Sequence, residues 1–225
     1  MDELNQKIEA VNLKAEATKE DIVTLCENAI RYNFYSVCVA PHYVPFVSDL
    51  LDETKVITTT VIGYPFGYTT IDTKVKEAKQ AIEDGALELA LVMNLGALKD
   101  GDMDYIEQEI REVMECCKGN VLKVVIEMGL LSKEEIKRAV EVCNKTFVHY
   151  IETCTEYGPR GVTVNDVEQL VAMKNEVLEI EASGNVQTID QVIELLGAGA
   201  SRIATTEGVS IMETYLKGDD HHETV

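Results

Sequence analysis

Apolar runs rich in β-branched residues alternate with amphipathic segments from one end of the chain to the other. Repeated βα units around a parallel sheet have this pattern, because strands covered on both faces read as nearly continuous hydrophobic stretches. Eight runs have the length and composition of strands: Ile8 to Leu13, Tyr35 to Val39, Val56 to Ile62, Leu87 to Met93, Val121 to Glu127, Phe147 to Thr153, Leu178 to Ala182, and Arg202 to Thr205. A helical candidate follows each one. Thr18 with Asp21, Ser132 with Glu135, Thr163 with Asp166, and Thr188 with Gln191 stand at N-cap and N3 spacing, where each side chain satisfies a free amide of the other residue. In the first helix Ile22, Leu25, Cys26, Ala29 and Ile30 fall on one stripe and are expected to be its buried face. Gly197 is expected to close the seventh helix in the left-handed conformation. The repeat predicts one domain over residues 1–225, a (β/α)8 TIM barrel with its active site at the carboxyl ends of the strands. The acidic segment 218–225, which holds His221 and His222, is expected to fray.

Charge narrows the list of partners. With 40 Asp plus Glu against 20 Lys plus Arg, the net charge is −20, and the resulting field repels phosphate backbones and anionic membrane surfaces. Neither nucleic acid nor a membrane is expected as a partner. The opening MDELNQKIEA has no basic start and no apolar core, and no window approaches the roughly 18 apolar residues of a membrane span. A cytoplasmic location is the expectation. The six cysteines (Cys26, Cys38, Cys116, Cys117, Cys143, Cys154) lack the paired spacing of a zinc site and sit mostly in apolar segments, as buried reduced thiols would. Cys154 is the one placed near a candidate site.

Seven stretches go further: SVCVAPHYVP (36–45), TVIGYPFG (60–67), NLGALKDGD (94–102), LKVVIE (122–127), IETCTEYGPRGVT (151–163), EASGNVQT (181–188) and RIATTEGV (202–209). In order and spacing the chain resembles the deoxyribose-phosphate aldolase family. The resemblance implies a lyase that cleaves 2-deoxyribose 5-phosphate to glyceraldehyde 3-phosphate and acetaldehyde through an imine on a lysine. It implies a nucleophilic lysine opening Lys-Thr-Ser-Thr-Gly on strand six, a second lysine opening Lys-Ala-Ser-Gly-Gly on strand seven, and an aspartate on strand four. No cofactor is expected.

The working groups are substituted. The strand-six run reads Glu152-Thr153-Cys154-Thr155-Glu156, the strand-seven run reads Glu181-Ala182-Ser183-Gly184-Asn185, and Ala90 stands at the aspartate position. The Asp-His-Thr of the first strand reads Glu9-Ala10-Val11, the asparagine position after strand two is Ala40, and the Thr-Cys pair after strand five is Met128-Gly129. The implied phosphate cradle retains Ser183, Gly184, Thr205 and Thr206. Glu207 replaces one of its serines and opposes a dianion.

Strand alternation carries Lys123, Val125 and Glu127 to the lumen side. Lys123 is either a relocated amine nucleophile or a buried cation paired with a lumen lined by Glu127, Glu152, Glu179 and Glu181. Glu127, Glu152 and Glu181 are also candidate oxygen ligands for a hard cation. His149 is expected to point outward toward the helices, and His42 lies in a loop.

Three functions remain open. One is an aldolase-like barrel without Schiff-base activity, a binding or regulatory pseudoenzyme or a redesigned member of the family. The second is an acid/base or metal-assisted enzyme using the mouth carboxylates. The third is an active lyase working through Lys123. The expected partners are a small molecule, either a sugar phosphate or a cationic ligand, and a second copy of the chain in a homodimer.

Overall fold

Eight strands pair in parallel and in chain order to close a barrel: β1 (Ile8–Asn12), β2 (Ser36–Val39), β3 (Ile57–Ile62), β4 (Glu88–Val92), β5 (Val121–Val125), β6 (Tyr150–Glu152), β7 (Glu179–Ser183) and β8 (Arg202–Thr205). The computed structural model describes residues 4–219. Around the barrel lie α1 (Lys19–Tyr32), α2 (Val44–Leu51), α3 (Ile71–Glu83), α4 (Leu95–Asp100), α5 (Met103–Cys117), α6 (Lys133–Thr146), α7 (Val164–Met173), α8 (Ile189–Gly197) and α9 (Gly208–Asp219). This is the (β/α)8 TIM barrel that the alternating pattern predicts.

All four expected capping boxes form, at the starts of α1, α6, α7 and α8. Several ends differ from expectation. Strand six begins at Tyr150 instead of Phe147, because Phe147 closes α6 in a left-handed conformation (φ 57°) and stays 70% exposed. Gly197 remains helical, and the positive φ of 112° falls to Gly199 two residues on. Ile22, Cys26 and Ala29 of α1 are buried, whereas Ile30, at the edge of the stripe, is 44% exposed. The expected acidic tail is helical to Asp219; residues 220–225, including His221 and His222, lie outside the described residues. All six cysteines are free and buried. No helix among the described residues is long and apolar enough to cross a membrane.

Two apolar regions result. The larger fills the space between strands and helices. The smaller, made of Cys38, Val61, Ala90, Val92 and Val125, lies inside the upper barrel. Beneath it, the lumen is ionic.

Candidate functional site

Parallel register sets the ionic layer. Glu152 pairs with Glu181 and Glu181 with Arg202, while Lys123 pairs with Tyr150 one strand earlier. Since alternate residues point inward, neighbouring strands deliver Glu9, Glu88, Lys123, Glu181 and Arg202 to one space, and each is no more than 2% exposed. Lys123 Nζ donates to Glu9 Oε1 at 2.8 Å and to Glu181 Oε1 at 2.9 Å. Arg202 Nε donates to Glu181 Oε2 at 2.8 Å, and its Nη2 to Glu88 Oε2 at 2.8 Å. Ser36 and Tyr35 hydroxyls complete Glu9 and Glu88 at 2.7 and 3.0 Å. The Arg202 guanidinium is sandwiched between the rings of Tyr35 and Tyr150, 4.3 Å from each centroid. Buried charge persists when it is paired in this way.

Lys123 is a paired cation, fully buried; Glu181 and Glu9 outweigh its desolvation and hold its pKa well above the usual lysine value. The same neighbours act oppositely on Glu9, where Lys123 and Arg202 overcome burial and lower the carboxyl to about 2. Glu152 stands apart. Its Oε2 is 4.0 Å from Lys123 Nζ and has no hydrogen-bond partner. Burial, with Glu181 and Glu9 adding to it, exceeds the pull of Lys123 and raises Glu152 to about 8. A carboxyl raised that far keeps its proton at neutral pH.

Other expected site residues are placed as follows. Ala90 belongs to the apolar upper cluster, so strand four offers no acid there. Glu127 does not face the lumen with Glu152 and Glu181. The strand ends at Val125, Glu127 takes a left-handed φ of 49°, and the alternation breaks. Its carboxylate is bonded by the backbone amide and hydroxyl of Thr155, and a Cβ at Gly158 would collide with it. Glu179 lies at the strand-seven start, accepting from the Ser201 hydroxyl. Among the described residues no group of three or more His, Cys, Asp or Glu is arranged to hold a metal ion. His149 is on the surface, its Nδ1 accepting from the Leu122 amide, and His42 is exposed.

The implied phosphate cradle is internally committed. Ser183 Oγ donates to the Cys154 carbonyl at 2.7 Å, and Thr205 Oγ1 donates to the Val186 carbonyl at 2.6 Å. Gly184 has φ 97° and abuts Cys154, where a Cβ would come within 2.7 Å of the Cys154 Cβ. Thr206 is exposed and donates to Glu207 at 3.3 Å. Glu156 was not singled out from the sequence, yet its carboxylate accepts from the Asn185 backbone amide and feels the repulsion of Glu207. Two carboxylates therefore stand where backbone amides would receive an anion.

Sequence reasoning also missed Glu88, Arg202 as its partner, and the buried Lys74–Glu109 pair (2.7 Å), in which Lys74 also donates to the Gly67 and Val92 carbonyls. Glu88 had a signal: it shares the inward parity of Ala90 on strand four. Lys74 had none, since its helix position reads as a solvated face.

Above the ionic layer, the mouth holds a cavity of about 30 Å³ lined by Glu152, Tyr64, Cys38, Cys154, Ser183 and Ala204 among others. A single buried water needs about 10–15 Å³. Beside it, and sharing Glu156, a cleft of about 390 Å³ is lined by Arg160, Gly161, Asn185, Gln187 and Thr206.

Known proteins place this arrangement. Residues 3–158 match the DeoC/LacD family aldolase profile. The deoxyribose-phosphate aldolase of Dictyoglomus turgidum is 42% identical over 210 residues, which cover 93% of this chain and 96% of that protein. One from a Geobacillus species is 45% identical over 202 residues, covering 89% and 91%. Among solved structures, "QR15, an Aldolase" superposes with a TM-score of 0.92 at 34% identity, covering 96% of this chain and 97% of its own. Its barrel, its motifs and these relatives together make the chain a member of the DeoC/LacD aldolase family.

Proposed function

We propose that this chain is a member of the family without Schiff-base aldolase activity, a barrel whose mouth binds a small molecule instead of cleaving a sugar phosphate. One observation carries this reading: the lysine left in the lumen, Lys123, is fully buried and donates to Glu9 and Glu181. Imine formation requires an amine with a free lone pair that a carbonyl carbon can reach. Lys123 offers neither, and the strand-six and strand-seven positions hold Glu152 and Glu181. The self-engaged anion cradle supports the same reading, because the phosphate of the substrate implied by the family would meet Glu156 and Glu207 there.

A second reading has its own support. A carboxyl raised to about 8 and lining a cavity is poised for proton transfer near neutral pH, so Glu152 suits an acid/base role on a molecule smaller than a sugar phosphate. Glu181, bonded to both cations, is not available as its partner. Self-association belongs to the same proposal: the sequence leads us to expect a homodimer, and the related aldolase of Aeropyrum pernix is described as tetrameric.

The deciding experiment is intact-mass spectrometry after borohydride is added with deoxyribose 5-phosphate. An unchanged mass is expected. A stoichiometric adduct, wherever it maps, rejects the non-catalytic reading, and accumulation of glyceraldehyde 3-phosphate in a coupled assay does the same.

A further inference from the structure

Two features of the mouth are unexplained by the barrel core. Glu152 lines the cavity and is 8% exposed, while its Oε2, closed off from solvent on the side of Lys123 at 4.0 Å, has no hydrogen-bond partner. A buried polar atom left without a partner costs on the order of 1–3 kcal/mol, more when it is charged. Beside it, a row of aromatic rings climbs from the cavity wall to the surface. Tyr64 meets Tyr157 edge-on at 5.7 Å, Tyr157 meets Phe66 at 6.3 Å, and Phe66 stacks on Tyr68 at 5.5 Å. Tyr64 is fixed by its hydroxyl on the Thr155 carbonyl, while Phe66, Tyr68 and Tyr157 are 51%, 73% and 53% exposed.

Contiguous exposed rings mark binding surfaces, and ring faces attract cations. The charge of the mouth agrees with that sign. Glu156 lines the cavity, Glu207 is close enough to repel it, the chain as a whole carries −20, and Glu152 adds a further negative charge once it gives up its proton. An anion meets repulsion there and a cation is drawn in. Hydrogen bonding then selects the cation: a primary ammonium head donates N–H bonds to the Glu152 carboxylate, which a tetramethylated one cannot do.

We propose that the mouth is a binding site for a small primary ammonium compound, its charged head seated against Glu152 and its apolar body lying along Tyr64, Tyr157 and Phe66. The inference rests on the non-catalytic reading and names the ligand class of that same mouth. It has a proton signature. The groups facing Glu152 are Lys123 from β5, Glu181 from β7, Glu9 from β1, Cys38 from β2, Tyr64 from the loop after β3, and Glu156 from its own loop. Burial, with the carboxylates, keeps Glu152 protonated up to about 8. A cation seated there displaces that proton to solvent, so apparent affinity climbs about tenfold per pH unit until pH 8.

The test is calorimetric titration of the whole chain with n-butylammonium chloride, sodium butyrate and tetramethylammonium chloride at pH 6, 7 and 8. Butylammonium is expected to saturate, with proton release and the rising affinity described; butyrate and tetramethylammonium are not. Glu152→Gln should weaken butylammonium at least tenfold and flatten the pH profile, and Tyr157→Ala should weaken it several-fold with the profile kept. The inference is overturned if butylammonium does not bind, if butyrate or tetramethylammonium binds as tightly, or if Glu152→Gln leaves affinity unchanged. Should Glu152→Gln fail to fold, the ligand comparison and the pH profile on the unaltered chain decide. Borohydride trapping on the same sample separates the two ideas. An adduct with butylammonium binding intact rejects the non-catalytic reading alone, and no adduct with no binding rejects the ammonium site alone.

Discussion

Lys123 Nζ lies 2.9 Å from Glu181 Oε1, so Glu181, which the resemblance aligns with a second lysine, is the counter-ion of a lumen lysine. Glu181 is therefore one member of a charge network with Glu9, Lys123 and Arg202. Removing one member of a fully buried pair leaves an uncompensated charge and typically costs 3–5 kcal/mol. Lys123→Met should lower the free energy of urea unfolding by about that amount, because both Glu9 and Glu181 lose a donor. Glu181→Met in the same background should cost much less than it does alone, since the two changes share one interaction. A Lys123→Met protein within about 1 kcal/mol of the parent would mean that the network does not depend on this cation.

Glu152 and Glu9 predict an unusual stability profile. Glu9 falls from 4.5 to about 2 in the folded chain, so its contribution is present above pH 4.5 and is lost as pH drops toward 2. Glu152 rises from 4.5 to about 8, so its contribution is present below 4.5 and is lost as pH climbs through 8. Stability should peak near pH 5 and decline toward neutrality. The Glu152 share of that decline is on the order of 3–5 kcal/mol, at about 1.4 kcal/mol per pKa unit. Glu152→Gln should remove it: the melting temperatures of variant and parent should nearly coincide at pH 5, and the variant should melt several degrees higher at pH 8. Parallel profiles would show that the general negative charge, and not Glu152, sets the slope.

The floor of the network has a separable aromatic part. Tyr35→Phe keeps the ring 4.3 Å from Arg202 and removes only the hydroxyl that donates to Glu88, a loss of about 1–2 kcal/mol. Tyr150→Leu removes a whole stacking partner of a desolvated guanidinium and should cost about 2 kcal/mol or more beyond the packing change. Equal effects in denaturant titration would argue that the sandwich contributes nothing of its own.

The sequence made some of this legible and hid the rest, for physical reasons. Strand parity predicted that Lys123 and Glu181 face one lumen, because a period of two needs no tertiary information. The same rule failed at Glu127, where the left-handed backbone ends the strand two residues early and turns the carboxylate to Thr155. Capping boxes were readable because Thr18 and Asp21 satisfy each other within one turn. The Glu88–Arg202 bond joins β4 to β8 across the lumen, and the aromatic row joins the loops after β3 and β6, so neither had a local signal. Glu156 was legible as a departure from a glycine, but its contact with the Asn185 amide depends on two loops meeting.

Restoring the family's groups tests the reading of the whole mouth. Glu152→Lys with Glu181→Lys sets two new ammonium groups beside Lys123 and Arg202, against Glu9 and Glu88 alone, and the double variant should be severely destabilised. Adding Ala90→Asp supplies a third carboxylate within the upper cluster and leaves a single excess cation, the condition that depresses a lysine pKa enough for nucleophilic attack. The triple variant should therefore fold better than the double and yield a borohydride adduct with acetaldehyde, which needs no phosphate site. With deoxyribose 5-phosphate it should remain feeble, because Glu156 and Glu207 still hold negative charge at the strand-seven and strand-eight loops, and repulsion within a few ångströms of a dianion costs several kcal/mol. Adding Glu156→Gly and Glu207→Ser should raise kcat/KM for the phosphorylated sugar at least tenfold while changing unphosphorylated deoxyribose by less than about threefold, since positioning through the phosphate is what those changes return. If the triple variant already prefers the phosphorylated sugar by orders of magnitude, Glu156 and Glu207 do not guard an anion site, and the phosphate must enter by another face of the mouth.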